Sequence, residues 1–404
     1  MSPLSTPSRN ASPPSISAIR TWLAILVLGV AAFTMVTTEF APIGLLTQIA
    51  ADLGRDPGDI GLAVTLYAWI GAAVGLACAP IMIRLPRRPL LVGLILVIAA
   101  SNVAAMLSET FGALLWARAL GAIGHGCFWA IASATAAQIA PPNRTGLSTA
   151  IVFGGISLAI VMGVPLVNLV GQATTWRIAF GAIGVIGVLT AALMIPLIPK
   201  MQISLPTSRN AFGDVLRHRG LLKLFVITAL MTTAHFSAYT FVEPFIRKIP
   251  GISYIAAAVL LFGFGIAGFL GNVAMGLLID RFMKTVITTS LSAMCLALVA
   301  LGWFGPSLGM GPVLILLGLW GASVAALFGG LQTGVLRLAG KSAIPASAVH
   351  SAILNAAIGV GAIVGAQLLA LSSISGVMLA AGVATMLPLL IYLVPSRERS
   401  TKTS

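Results

Sequence analysis

The chain has 404 residues, 58% of them hydrophobic and only 8% charged, with a mean hydropathy of +1.06. No soluble domain has this balance, and apolar spans of about 20 residues recur along the whole length, so the chain reads as a polytopic α-helical membrane protein. A net charge of +14 would point to nucleic acid in a soluble chain, but here the basic residues sit at the ends of apolar spans, where the positive-inside rule accounts for them.

Residues 1–20 are rich in Ser and Pro and read as a disordered cytoplasmic tail. The first span, 22–46, is too long for a signal-peptide core and lacks a cleavage site, so it is expected to remain in the mature protein. Twelve spans are predicted: 22–46, 60–83, 89–107, 111–137, 146–170 and 177–198, then 221–242, 254–279, 285–304, 312–337, 346–371 and 376–394. The longest connection, 199–220, is polar and basic and contains Pro206. It divides the chain into six-span halves, 21–198 and 221–394, followed by a tail at 395–404.

With the N-terminus inside, most lysines and arginines fall in inner segments. Arg55, Arg177, Arg247 and Lys248 fall outside, and Arg118 alone lies within a span. Both termini are therefore expected in the cytoplasm. The loop after span 8 reads Gly276-Leu-Leu-Ile-Asp280-Arg281, and its counterpart in the first half, Ile81 to Arg88, keeps the basic residues without the Gly and Asp. Asp280 and Arg281 are expected to act in structure or gating.

An arginine at mid-bilayer costs roughly 3 kcal/mol or more unless it is partnered. Arg118, Ala122, His125 and Trp129 share one face of span 4. Glu39 is the only acid deep in a span and falls at a similar depth, so a Glu39–Arg118 pair is geometrically allowed. That pair is either a permanent tether or a switch in which Glu39 carries a proton, assisted by Arg118 and His125. His125 suits titration or hydrogen bonding to a hydroxyl, and Trp129 suits stacking on a sugar ring; each suits plain packing as well. In the second half, His235 and Tyr239 are i, i+4 on span 7, and Asn355 is a buried amide on span 11. All three are candidate substrate ligands. Glu243, followed by Pro244, is placed at the outer mouth as a gate or pair residue, and Gly163 and Pro165 as structural elements of span 5.

Cys78, Cys127 and Cys295 fall inside spans with neither metal-ligand nor disulfide spacing. There is no phosphate loop, no Ser-His-Asp set and no H-E-x-x-H. Neither an enzyme, a metal nor a cofactor is expected.

Two six-span halves joined by a basic loop is the layout of the major facilitator superfamily. TTEFAPIGLL (37–46), YAW (67–69), the span-4 stripe, GVPLVNLVGQ (163–172) with WRIAF (176–180), and TAHFSAYTFVEPF (233–245) together resemble the bacterial sugar-efflux transporters of its drug:H+ antiporter-1 branch. The span-5 stretch Gly154-x8-Gly163-Val-Pro165 carries Val167 and Asn168 where that branch often has small residues. The resemblance implies a monomeric inner-membrane exporter of small sugars, arabinose or thiogalactoside-like, driven by inward protons. A multidrug/H+ antiporter is the alternative of the same fold, and a passive channel the alternative of another class.

Overall fold

The computed structural model describes residues 16–82, 85–141, 145–201 and 211–394. The expected tails before residue 16 and after residue 394, most of the linker with Pro206 and Arg209, and Arg84 and Arg144 lie outside the described residues. Within the described residues every regular element is a helix.

The first half runs through α1 (Ile16–Gly44), α2 (Leu46–Asp52), α3 (Pro57–Met82), α4 (Arg87–Met106), α5 (Phe111–Ile139), α6 (Thr145–Leu158), α7 (Val164–Ala173) and α8 (Trp176–Leu197). A short α9 (Ala211–Arg217) leads into the second half. That half comprises α10 (Arg219–Tyr239), α11 (Val242–Arg247), α12 (Tyr254–Phe304), α13 (Met310–Ala339), α14 (Ala343–Leu371), α15 (Ile374–Ala384) and α16 (Met386–Leu393). Among the described residues, ten helical stretches are long and apolar enough to cross a membrane. The 51-residue α12 is two spans merged across a kink at Phe282 (φ −129°, ψ 35°), and α5, 29 residues long, adds the remaining span. The twelve expected spans are thereby accounted for. α1 begins at Ile16, inside the stretch read as tail.

Local chemistry sets the boundaries. Thr110, Thr175, Ser253 and Ser373 each accept the backbone N–H three residues on, so α5, α8, α12 and α15 all begin at hydroxyl caps. Both halves break their first span near its far end. α1 stops before Leu45 (φ −113°, ψ 7°) and α10 stops before Phe241 (φ −110°, ψ 18°); each then continues as a short helix. Span 5 is also interrupted. Pro165 has no N–H for the carbonyl of Val161, and the helix widens into a π-turn at Ala159–Gly163 between α6 and α7.

The bundle has two recognisable ends. At one, Asp52 accepts from Arg177 Nη1 at 2.6 Å and from Trp176 Nε1 at 3.1 Å, while Arg177 also donates to the Ser108 carbonyl. The segments that follow α2, α4 and α7 meet here. At the opposite end Asp280, on the kinked part of α12, pairs with Arg337 at the end of α13, and Arg281 lies 5.3 Å over the Phe282 ring. α12 continues past Asp280 through the kink, so this carboxylate pairs across to α13 and does not cap a helix. An exposed pair of this kind contributes little to stability.

Candidate functional site

The site begins with a proline. Pro42 lies within α1 and offers no N–H to the carbonyl of Thr38, one turn earlier. Arg118, fully buried on α5, takes that place. Its Nη1 donates to the Thr38 carbonyl at 2.7 Å and its Nη2 to the Glu39 carbonyl at 2.9 Å. The guanidinium also lies 4.1 Å from the ring centroid of Tyr67 on α3. This corrects the expected Glu39–Arg118 carboxylate pair. The carbonyl exposed by Pro42 is the stronger local demand, and it binds the guanidinium through backbone oxygens.

The Glu39 side chain turns instead to His125. Its Oε2 lies 3.7 Å from His125 Nε2, with both side chains buried. His125 packs edge-on against Tyr67 (5.2 Å between centroids) and Trp129 (6.2 Å). Neighbouring amides complete the frame around α1. Asn102 donates to Thr38 Oγ1 at 2.9 Å and Asn168 to the Gly44 carbonyl at 2.6 Å. A Cβ on Gly163 would strike the side chain of Thr37, so glycine there permits the close approach of span 5 to α1.

In the second half, His235 and Tyr239 stack on each other at 5.0 Å. Trp320 on α13 donates its Nε1–H to His235 Nδ1 at 3.1 Å. Phe264 on α12 stacks on Tyr239 at 5.1 Å. The halves meet here: Phe40, next to Glu39, contacts the rings of Phe236 (5.6 Å) and Tyr239 (6.4 Å). Asn355 is only half-buried, and its amide donates to the Ser351 carbonyl of its own helix at 2.9 Å. The buried amide expected from sequence is thus corrected: the side chain is partly exposed and its donor is spent within α14.

That seam is continuous towards the Asp52 end. Trp69 Nε1 donates to the Ala356 carbonyl at 3.0 Å and Thr65 Oγ1 to that of Gly359 at 3.1 Å. Glu243, 1% exposed, receives both the backbone N–H and the hydroxyl of Thr47 from the other half, and pairs with Arg247 one turn on. Burial pushes the Glu243 carboxyl above its ordinary range, and Thr47 and Arg247 pull against it. Arg247 in turn lies over Tyr254 at 4.5 Å.

Tyr67, Trp320 and Phe264 were not singled out as site residues from sequence. Trp320 carried a usable signal: it stands in mid-span, away from the ends where interfacial tryptophans gather.

Two helical halves that enclose buried polar groups along their seam form the architecture of a secondary membrane transporter. The sequence family described as Major Facilitator Superfamily matches residues 27–349, and the chain belongs to it. Solved structures agree in fold. A bacterial homologue of the human lysosomal transporter Spinster, inward-facing and unoccupied, aligns with a TM-score of 0.72 at 15% identity, over 92% of this chain and 96% of that one. The nucleoside transporter NupG aligns at 0.76 and 13%, over 91% and 98%. A POT family transporter in complex with 5-aminolevulinic acid aligns at 0.74 and 13%, over 92% and 94%.

Proposed function

We propose that the protein exports small neutral sugars, arabinose or thiogalactoside-like, in exchange for protons across a bacterial inner membrane, as a monomer with both termini in the cytoplasm. Residues 21–198 and 221–394 rock as two bodies about the seam, and the linker 199–220 joins them on the cytoplasmic side. The Asp52 end is then periplasmic, and the conformation described has its periplasmic side closed.

The observation that carries this reading is the buried Glu39–His125 contact beside a guanidinium already committed to backbone oxygens. Among the described residues no direct ion pair ties that carboxylate to the neighbouring guanidinium, which is spent on backbone oxygens, so taking up a proton lowers its burial cost. Arg118 holds the carboxylate in place by stapling the helix that bears it. A sugar hydroxyl arriving from the cytoplasm competes for His125 and Glu39 and releases the proton inward. Trp129 on the first half, with His235, Tyr239 and Asn355 on the second, offers the remaining contacts. Glu243 acts as the periplasmic latch, Gly163 and Pro165 shape span 5 against α1, and the Asp280–Arg337 pair with Arg281 orders the cytoplasmic end.

The test uses inverted vesicles with an acidic interior and labelled arabinose outside. Accumulation that collapses with the gradient is expected, and Glu39→Gln should lower it by about 100-fold, the scale of a lost proton-transfer group. Flux that ignores the gradient would make the protein a passive channel. Accumulation of a cationic dye in place of arabinose would make it a multidrug exporter.

A further inference from the structure

His235 lies inside a cluster of rings, without a charge beside it. On its own helix it meets Phe236 edge-on at 4.7 Å and stacks on Tyr239. Phe264 on α12 lies parallel to it at 6.5 Å, and Trp320 and Phe328 on α13 meet it edge-on at 5.5 and 5.8 Å. Tyr239 is the one titratable group among these neighbours, and no ion pair among the described residues involves His235.

The hydrogen bond from Trp320 decides where the imidazole proton sits. An indole nitrogen only donates, so His235 Nδ1 must be the bare acceptor and the ring proton must sit on Nε2. A second proton on Nδ1 would set two N–H groups against each other. Trp320 is itself 0% exposed and packed on Phe264 at 5.2 Å, so it has nowhere to retreat. Among the described residues, His235 Nε2 and the Tyr239 hydroxyl bond to no protein group, and neither atom is sealed from accessible space.

We infer that Trp320 is a positioning residue that holds His235 as the neutral Nε2–H tautomer, so that α10 presents two uncharged donors, His235 Nε2–H and the Tyr239 hydroxyl, to an acceptor-rich neutral solute. The inference rests on reading these residues as part of the solute site, and adds the chemical class they select. An empty cage of rings would suit a quaternary ammonium. Here the imidazole fills the cage, and among the described residues no carboxylate pairs with it. A polyol, with an oxygen on nearly every carbon, matches a pair of fixed donors.

The test is nitrogen-15 spectroscopy of the full-length protein, histidine-labelled, in lipid nanodiscs. The chain has four histidines, and the spectrum of His235→Gln identifies the signals of His235. The expected wild-type pattern is a pyridine-type Nδ1 and a pyrrole-type Nε2, unchanged between about pH 5 and pH 8, the window in which an unperturbed histidine changes charge. Arabinose should shift the Nε2 resonance, and tetraphenylphosphonium should not. Trp320→Phe keeps the ring and removes the donor. It should release His235 to mixed tautomers that titrate, and raise the arabinose KM several-fold with little change in kcat. A wild-type His235 that carries its proton on Nδ1, or that titrates in this window, overturns the inference, and this reading stands even if Trp320→Phe fails to fold. A locked His235 that arabinose leaves unmoved overturns the donor assignment. Failure of the sugar reading shows separately, as wild-type vesicles that accumulate no arabinose while His235 keeps its tautomer.

Discussion

Arg118 is held by a defect in another helix. Pro42 leaves the Thr38 carbonyl without its intrahelical donor, and the guanidinium supplies one from α5. Losing a buried donor typically costs about 1–3 kcal/mol, so Arg118→Gln should lower the melting temperature in detergent. Pro42→Ala restores an N–H to the Thr38 carbonyl, and in that background the same substitution should cost less, with a coupling of about 0.5 kcal/mol or more. Strict additivity of the two changes would show that the staple is not there. The sequence made the residues Glu39, Arg118 and His125 legible, because charged and titratable groups are conspicuous among Ala, Leu and Ile. Their pairing was not legible. Two side chains at similar depth suggest an ion pair, while the demand created by a missing N–H lies in the backbone, where composition does not register it. Asn355 failed for a related reason: a polar residue inside an apolar stretch looks buried until the helix's facing is known.

At the scale of elements, the twelve spans were readable because crossing a bilayer fixes both length and apolarity. The breaks at Leu45 and Phe241 and the π-turn before Pro165 escaped notice, since a single non-helical residue leaves the mean hydropathy of a span unchanged. These breaks set the far end of the seam. Thr47, the second residue of α2, and Glu243, the second residue of α11, meet across it. The seam gives a direct cross-linking prediction. A Cβ on Gly58 of α3 would lie 3.7 Å from that of Ala366 on α14, within disulfide reach. Gly58→Cys with Ala366→Cys, made with the three native cysteines changed to Ser, should cross-link on oxidation and stop transport, and reduction should restore it. Transport that continues through the cross-link would contradict a rocking seam. Glu243→Gln retains an acceptor for Thr47 but no charge for Arg247. It should loosen the latch and lower the cross-link yield, and an unchanged yield would remove Glu243 from the gate.

For the molecule as a whole, a long apolar chain split by one basic linker already announced two six-span halves. The proposed sidedness rests on where lysine and arginine are tolerated. Which faces of those halves meet was hidden, because hydropathy gives no direction to a helix surrounded by both lipid and protein. The structure supplies that direction. It sets Glu39 and His125 on one side of the seam and the His235–Tyr239–Trp320 rings on the other, with Phe40 bridging them. The central claim is that one buried carboxylate exchanges its proton for solute. The most direct measurement follows the pH of a weakly buffered solution of purified protein as arabinose is added. Protons should be released on binding in the wild type and not in Glu39→Gln. Binding without release in the wild type, or equal release from the variant, would contradict the account.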